Sequence, residues 1–208
     1  MKKTFSRLFM LVLLLLTTMS ASASIEWGEK VTFNIRTWDE TNQKLVTTRE
    51  EKICYLIGEQ NNEWEQLGKE GEETWYAVKG NVSRKTLNIF GIVHLILEDY
   101  CTLTCTGGIK VETVRGAILY IHSQSDGDNQ GKLVVTNSYK YSAGIGSGGN
   151  SSKSGEHPNG GDVFICGGNI DVTGGAYGAC IGGGCNYRDN ADNTAGTTKI
   201  YGGKIVSR

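Results

Sequence analysis

Gly168-Asn-Ile-Asp-Val-Thr-Gly-Gly-Ala-Tyr-Gly-Ala-Cys-Ile-Gly-Gly-Gly184 lies over Gly131-Lys-Leu-Val-Val-Thr-Asn-Ser-Tyr-Lys-Tyr-Ser-Ala-Gly-Ile-Gly-Ser-Gly-Gly149 with a single one-residue slip in the turn. The match extends in both directions. Ile165-Cys-Gly-Gly-Asn-Ile170 recurs as Ile200-Tyr-Gly-Gly-Lys-Ile205, and Gly108-Ile109 recurs as Gly144-Ile145 and Cys180-Ile181. Landmarks that return in register at a spacing of about 35–36 residues are the signature of a repeat architecture.

Each repeat reads as three short strands separated by glycine corners. The first strand carries Leu95 and Leu97, then Leu119 and Ile121, Val163 and Ile165, and Ile200. The second carries Leu103 and Cys105, Leu133 and Val135, Ile170 and Val172, and Ile205. The third is the Gly-Ile strand of Ile109, Ile145 and Ile181. Apolar residues alternating over four to six positions mark strands buried on one face. Glycine pairs allow the positive φ angles that turn the chain at each corner. One repeat cannot bury its inward Leu, Ile and Val alone, but repeats stacked about 4.8 Å apart make them a continuous column. The fold expected is all-β: a parallel β-solenoid of three-strand rungs over residues 81–208. The competing Gly-rich β-sandwich does not explain the fixed spacing.

Composition divides the chain near Gly80. Only four of the 29 glycines precede it, whereas all four tryptophans, Trp27, Trp38, Trp64 and Trp75, do. Alternation in Val31-Thr-Phe-Asn-Ile35 and Lys52-Ile-Cys-Tyr-Leu56 predicts strands, so residues 24–80 are expected to form an N-terminal β cap that hides an open end from edge pairing. Trp64 and Trp75 are expected to anchor that cap. Residues 1–23 read as a signal peptide. Lys2, Lys3 and Arg7 precede the apolar run Leu8–Leu16, too short for a bilayer span, and Ala21-Ser-Ala23 supplies the small residues of a cleavage site. The expected location is therefore secreted or at the cell surface, with no membrane span after cleavage. A net charge of −1 and the lack of a Lys/Arg cluster after residue 23 argue against nucleic acid as a partner.

From Thr74-Trp-Tyr-Ala-Val78 through Val93-His-Leu-Ile-Leu-Glu-Asp99 and Gly108-Ile-Lys-Val111 to the Ala-Gly-Ile-Gly and Gly-Gly-Asn-Ile-Asp-Val-Thr-Gly-Gly segments, the chain resembles secreted bacterial repeat proteins, notably of the Bacteroidota, labelled as carbohydrate-binding-domain proteins. The resemblance covers about residues 70–208 and implies a parallel β-helix with glycan as ligand. It supplies no motif residues. Cys180 and Tyr100 stand where that pattern has Gly.

The candidate chemistry is sparse. Six cysteines in an exported chain raise the question of disulfides. Cys101 and Cys105 share an inward face four residues apart, roughly 13 Å if extended, and read as buried hydrophobes rather than a bridge. Cys180 and Cys185 flank a glycine corner at a spacing that leaves pairing open. His94, His122 and His157 are far apart along the chain, so no Cys/His metal site is assigned. Asp126-Gly-Asp-Asn129 and Asp189-Asn-Ala-Asp-Asn193 offer oxygen ligands, but Asx-rich clusters are ordinarily solvated turns. No cofactor is expected. The outward positions His94, Ile96, Ile118, Tyr120, Phe164, Cys166, Lys199 and Tyr201 contain no column of carboxylates, and no catalytic residue is assigned. Tyr120, Phe164 and Tyr201 form an outward aromatic column that suits the C–H face of a pyranose, or rings that merely cover one another.

The function expected is a non-enzymatic binding or adhesive module for glycans. A β-helix polysaccharide lyase or hydrolase and a structural spacer of a larger surface protein are the alternatives. The bare apolar positions at Ile181 and Ile205 predict self-association through the C-terminal end.

Overall fold

A computed structural model of the chain describes residues 28–59, 63–149, 159–185 and 195–208. The signal peptide and its cleavage after Ala23, Trp27, His157, and Asp189, Asp192 and Asn193 of the second acidic loop lie outside the described residues. The protein is all-β, with no α-helix among those residues and no helix long and apolar enough to cross a membrane.

The N-terminal part contains β1 (Gly28–Asp39), β2 (Lys44–Ile57), β3 (Gln66–Val78), β4 (Asn81–Arg84) and β5 (Leu87–Leu97). Then follow β6 (Thr102–Cys105), β7 (Ile109–Val111), β8 (Ile118–Ser123), β9 (Lys132–Thr136) and β10 (Ile145–Gly146). The last five are β11 (Asp162–Ile165), β12 (Asn169–Thr173), β13 (Ile181–Gly182), β14 (Thr198–Ile200) and β15 (Lys204–Ser207).

Strands at equivalent repeat positions pair in parallel. β4, β6, β9, β12 and β15 make a five-stranded sheet in which Val82, Leu103, Leu133, Ile170 and Ile205 share one register line. β7, β10 and β13 align Ile109, Ile145 and Ile181. β5, β8, β11 and β14 pair likewise, with Leu95 beside Ile121, Ile121 beside Ile165 and Ile165 beside Ile200. The inward residues of these strands form the main core, in which Leu95, Leu97, Leu103, Leu119, Ile121, Leu133 and Ile145 are fully buried.

β5 serves two neighbours at once. Its Leu87–Ile89 half pairs with β7 and its Ile92–Leu97 half with β8, the chain bending between them at Gly91. Gly91 has φ 62°, and a Cβ there would strike the carbonyl oxygens of Lys69 and Glu72 on β3. Only glycine meets both demands. Tyr100, where the resembling pattern has Gly, takes φ 61°.

The N-terminal segment does not simply sit on an end. β1 and β2 form an antiparallel hairpin, β2 pairs in parallel with β3, and β3 pairs in parallel with β5. β1 returns to β8 through Asn34 opposite Ser123. Because β5 also pairs with β8, the strands β5-β3-β2-β1-β8 close into a small five-stranded barrel. Its interior is a second apolar cluster of Val31, Phe33, Cys54, Ala77 and Ile96, with Ile35, Leu56 and Trp75 packed against it.

Two expectations change as a result. The compositional break near Gly80 is not a break in packing, because Ile57, Leu67, Tyr76 and Val78 belong to the main core together with Leu95 and Leu103. The outer face of the first repeat strand is also not open. Ile96 is fully buried and His94, His122 and Cys166 nearly so, because the β1–β2 hairpin lies over part of that face. Of the expected cap anchors, Trp75 packs against Phe33, while Trp64 stays over a third exposed with its ring edge against Tyr76. Cys54, Cys101, Cys105, Cys166 and Cys180 are free, with Cys101 and Cys105 buried in the main core.

Candidate functional site

Two outward register lines cross the sheet of β3, β5, β8, β11 and β14. One runs Trp75–His94–Tyr120–Phe164–Lys199. The other, two residues further along each strand, begins with Ala77, Ile96 and His122. It continues through Cys166 and Tyr201, whose amides donate to the carbonyls of Ile121 and Ile165. Tyr201 thus stands on a different line from Tyr120 and Phe164, a correction to the single aromatic column read from the repeat.

The first line is a ladder of rings. Trp75 stacks on His94 at 3.7 Å between centroids, His94 on Tyr120 at 4.5 Å and Tyr120 on Phe164 at 4.6 Å, all within 11° of parallel. Parallel strands hold neighbouring residues about 4.8 Å apart, close to the spacing of offset-stacked rings, so the pairing itself builds the ladder. Faces within the ladder are occupied by one another, leaving mainly edges toward the outside. Tyr201 makes no ring contact among the described residues and is half-buried, so its face is open to another partner.

Where the hairpin leans away from β11, the barrel mouth opens into a cleft of about 380 Å³. Ile35, Arg36 and Thr37 of β1 form one wall. The other presents Glu73, His94, Tyr120, Phe164 and Tyr201, with His122 and Cys166 behind them. The structure therefore places all three expected ligand residues, Tyr120, Phe164 and Tyr201, on one cleft, and adds polar groups that the repeat pattern did not single out.

The polar groups form a chain. Glu73 Oε1 lies 3.2 Å from His94 Nε2, and His94 Nδ1 lies 3.0 Å from His122 Nε2. Burial lowers the His94 pKa to about 4 against the opposing pull of Glu73, and lowers that of His122 to about 3 with His94 adding to the effect. Both rings are neutral near pH 7, so each carries one proton. The Glu73 carboxylate accepts from His94 Nε2–H, which leaves His94 Nδ1 as the acceptor for His122 Nε2–H. His122 Nδ1 is then a bare acceptor, and it has no partner among the described residues. Phe33 packs its edge on His122 and Trp75 covers His94, fixing both rings.

Parallel pairing brings together two histidines that stand 28 residues apart and that spacing alone had set apart. Their planes differ by 14° and their centroids lie 5.3 Å apart. With 3.0 Å between the facing nitrogens, the rings meet head-on in nearly one plane. Zinc at about 2.0–2.1 Å from each nitrogen along that line would need a gap of about 4 Å, so the spacing suits a shared proton.

Charges around the cleft are balanced. Arg36 is only 10% exposed and pairs with Asp126, while its Nη1 donates to the Cys166 carbonyl at 2.6 Å. Asp126, a member of the first acidic loop, is thereby tied to an arginine. Lys52 lies over Trp75 at 5.2 Å, and Lys199 stands next to Phe164 in register. Burial raises the Tyr120 pKa, keeping the phenol neutral. No family model, curated protein or solved structure matches the chain.

Proposed function

We propose that the chain is an exported, surface-exposed parallel β-solenoid that binds glycan without catalysis, and that the cleft at the barrel mouth is its binding site. The parallel register lines at the repeat spacing are the successive rungs of this solenoid, with the five-stranded barrel built onto its first rungs. The observation that carries the function is the meeting, on one cleft, of an unstacked tyrosine face with fixed polar groups. Tyr201 supplies an apolar plane for a pyranose ring, and the edges of Tyr120 and Phe164 complete the floor. Glu73 stands where hydroxyl groups need a hydrogen-bond acceptor.

The lyase reading draws support from Arg36, His94 and Tyr120 lining the same cleft, a cation and two groups able to move protons. The geometry favours binding nonetheless. Both nitrogens of His94 are engaged and Arg36 is already paired. Glycoside hydrolysis by two carboxylates needs a second acid beside Glu73, and none of the described residues lining the cleft supplies one.

A glycan array probed with the full mature chain tests the proposal, followed by affinities for Tyr201→Ala and Phe164→Ala. Hits that weaken about tenfold or more in Tyr201→Ala support it, since stacking and area burial by one aromatic contribute on the order of 1–3 kcal/mol. New reducing ends or unsaturated products from digested polysaccharides would replace binding with catalysis. An empty array together with inert digests would leave the spacer reading. The edges of β13, β14 and β15, which end their sheets among the described residues, are proposed as the surface for association between copies.

A further inference from the structure

The Glu73–His94–His122 chain has an order that the glycan reading does not require. His122 donates to His94 and His94 donates to Glu73, so the carboxylate receives the last proton in the series. Each ring is clamped by aromatic neighbours, and the pair is nearly inaccessible to water. Glu73 itself is over half exposed on the cleft wall, with Oε1 held and Oε2 making no hydrogen bond among the described residues. A buried two-histidine tether behind an exposed carboxylate fixes its direction at little entropic cost.

A ligand approaching Glu73 meets an acceptor, and the chain offers no donor in the opposite direction. The one cation among the described lining residues, Arg36, is already engaged by Asp126 and the Cys166 carbonyl. Sugar hydroxyls can donate to Glu73. A uronate or sialate carboxylate would instead face a fixed negative charge without a free cation on the lining to offset it. Lys52 and Lys199 stand outside the lining residues.

We infer that Glu73, oriented by His94 and His122, is the specificity-determining residue of the cleft and selects neutral glycans, whose hydroxyls donate to it, over glycans carrying carboxylates. His94 and His122 are positioning residues in this assignment, since both nitrogens of His94 are engaged and the unpartnered Nδ1 of His122 is buried away from the cleft surface. The inference rests on the glycan reading given above.

The test measures affinity for neutral hexose oligosaccharides and for uronate-bearing oligosaccharides of matched length and linkage. The mature wild-type chain is compared with Glu73→Gln, His122→Leu and His122→Gln. Wild type should prefer the neutral set by about tenfold or more, and Glu73→Gln should lose affinity for neutral sugars by about tenfold to a hundredfold while narrowing the gap, because hydrogen bonds to a charged partner carry that weight. His122→Leu should weaken neutral binding. His122→Gln should restore it, because the glutamine amide donates to His94 Nδ1 as the imidazole does, an outcome that a purely space-filling role would not produce. Glu73 is surface-exposed, so its variant keeps the test decisive even if a His122 variant fails to fold. Equal or stronger binding of the acidic set, or a gap unchanged in Glu73→Gln, overturns the inference and leaves the glycan reading standing. An absence of binding to both sets overturns the glycan reading itself.

Discussion

The line Trp75–His94–Tyr120–Phe164–Lys199 is one row of residues in one register, yet its two ends occupy different surroundings. At the β3 and β5 end the row lies inside the barrel, and His94 is only 9% exposed. At the β14 end Lys199 stands in solvent. The opposite face stays closed across the middle strands and opens only at β14, where Ile200 is 58% exposed. Leu95, Leu119, Ile121 and Ile165 are fully buried. Inward positions of β5, β8 and β11 are therefore buried by the neighbouring parallel strands, whereas outward positions depend on what a distant part of the chain lays over them.

The largest effect expected separates the two faces. Ile145 is fully buried between Ile109 and Ile181, so Ile145→Asp places a lone carboxylate in the main core at several kcal/mol and should abolish cooperative melting. Lys199→Asp, on the outward line, should leave the melting temperature nearly unchanged. Equal tolerance at both sites would break the distinction between the faces.

Next in size is the smaller core. Phe33 is fully buried, with its ring against Trp75 and His122. Phe33→Ala should destabilise the protein by about 3–5 kcal/mol if barrel and repeats unfold as one unit. If the barrel unfolds separately, denaturant curves should instead show two transitions, with the barrel-side wall of the cleft lost in the first.

These two cores also explain what could be read from the sequence. Ile109, Ile145 and Ile181, and likewise Leu103, Leu133, Ile170 and Ile205, are placed by period and parity alone, because a stacked repeat must present the same side to its neighbours. Tyr120 and Phe164 followed from the same rule. Tyr201 was legible too, because the match of Ile165-Cys166 with Ile200-Tyr201 sets it beside Cys166, two positions beyond Phe164, and only the grouping of both outward positions into one column hid it. His94 and His122 carried a faint signal, as both hold outward positions on strands the repeat places side by side, and a register drawn before the histidines were counted would have joined them. Glu73 carried none. It lies just beyond the irregularity in β3 pairing between Gly68 and Glu73, where periodicity is lost. Closure of the barrel through Asn34 and Ser123 depends on a contact between segments with no shared pattern.

The buried histidines sharpen the comparison through pH. Their pKa values fall from the ordinary 6.5 to about 4 and about 3 in the folded protein, so the unfolded chain binds more protons between those limits. Stability present above pH 6.5 is therefore lost as pH falls through 6.5 toward 4, on the order of a few kcal/mol for the pair. Melting temperatures from pH 7.5 to 4.5 should decline in wild type and decline less in a His94→Phe/His122→Leu variant. Matching slopes would show that the pair is not buried as a neutral unit.

The smallest effect on stability is expected at the far edge, where the repeats have no covering hairpin among the described residues. β14 and β15 are the last strands of their sheets among the described residues, Ile200 is 58% exposed, and Ile205 is only partly buried against the main core. Such an edge is a template for another strand, and a charge placed on it is the common way that proteins prevent such pairing. Ile200→Lys should therefore leave the unfolding free energy of the monomer within about 0.5 kcal/mol of wild type, as surface substitutions do. Its effect should appear in association. Wild type should show a sedimentation coefficient that rises with concentration up to about tens of micromolar, and Ile200→Lys should remain monomeric over the same range. A wild-type chain that sediments as a strict monomer throughout would remove the edge as an interface. Association that persists in Ile200→Lys but is lost when Trp38 of the hairpin is replaced by Lys would move the interface to the covered end of the molecule, and with it the contrast between the two ends.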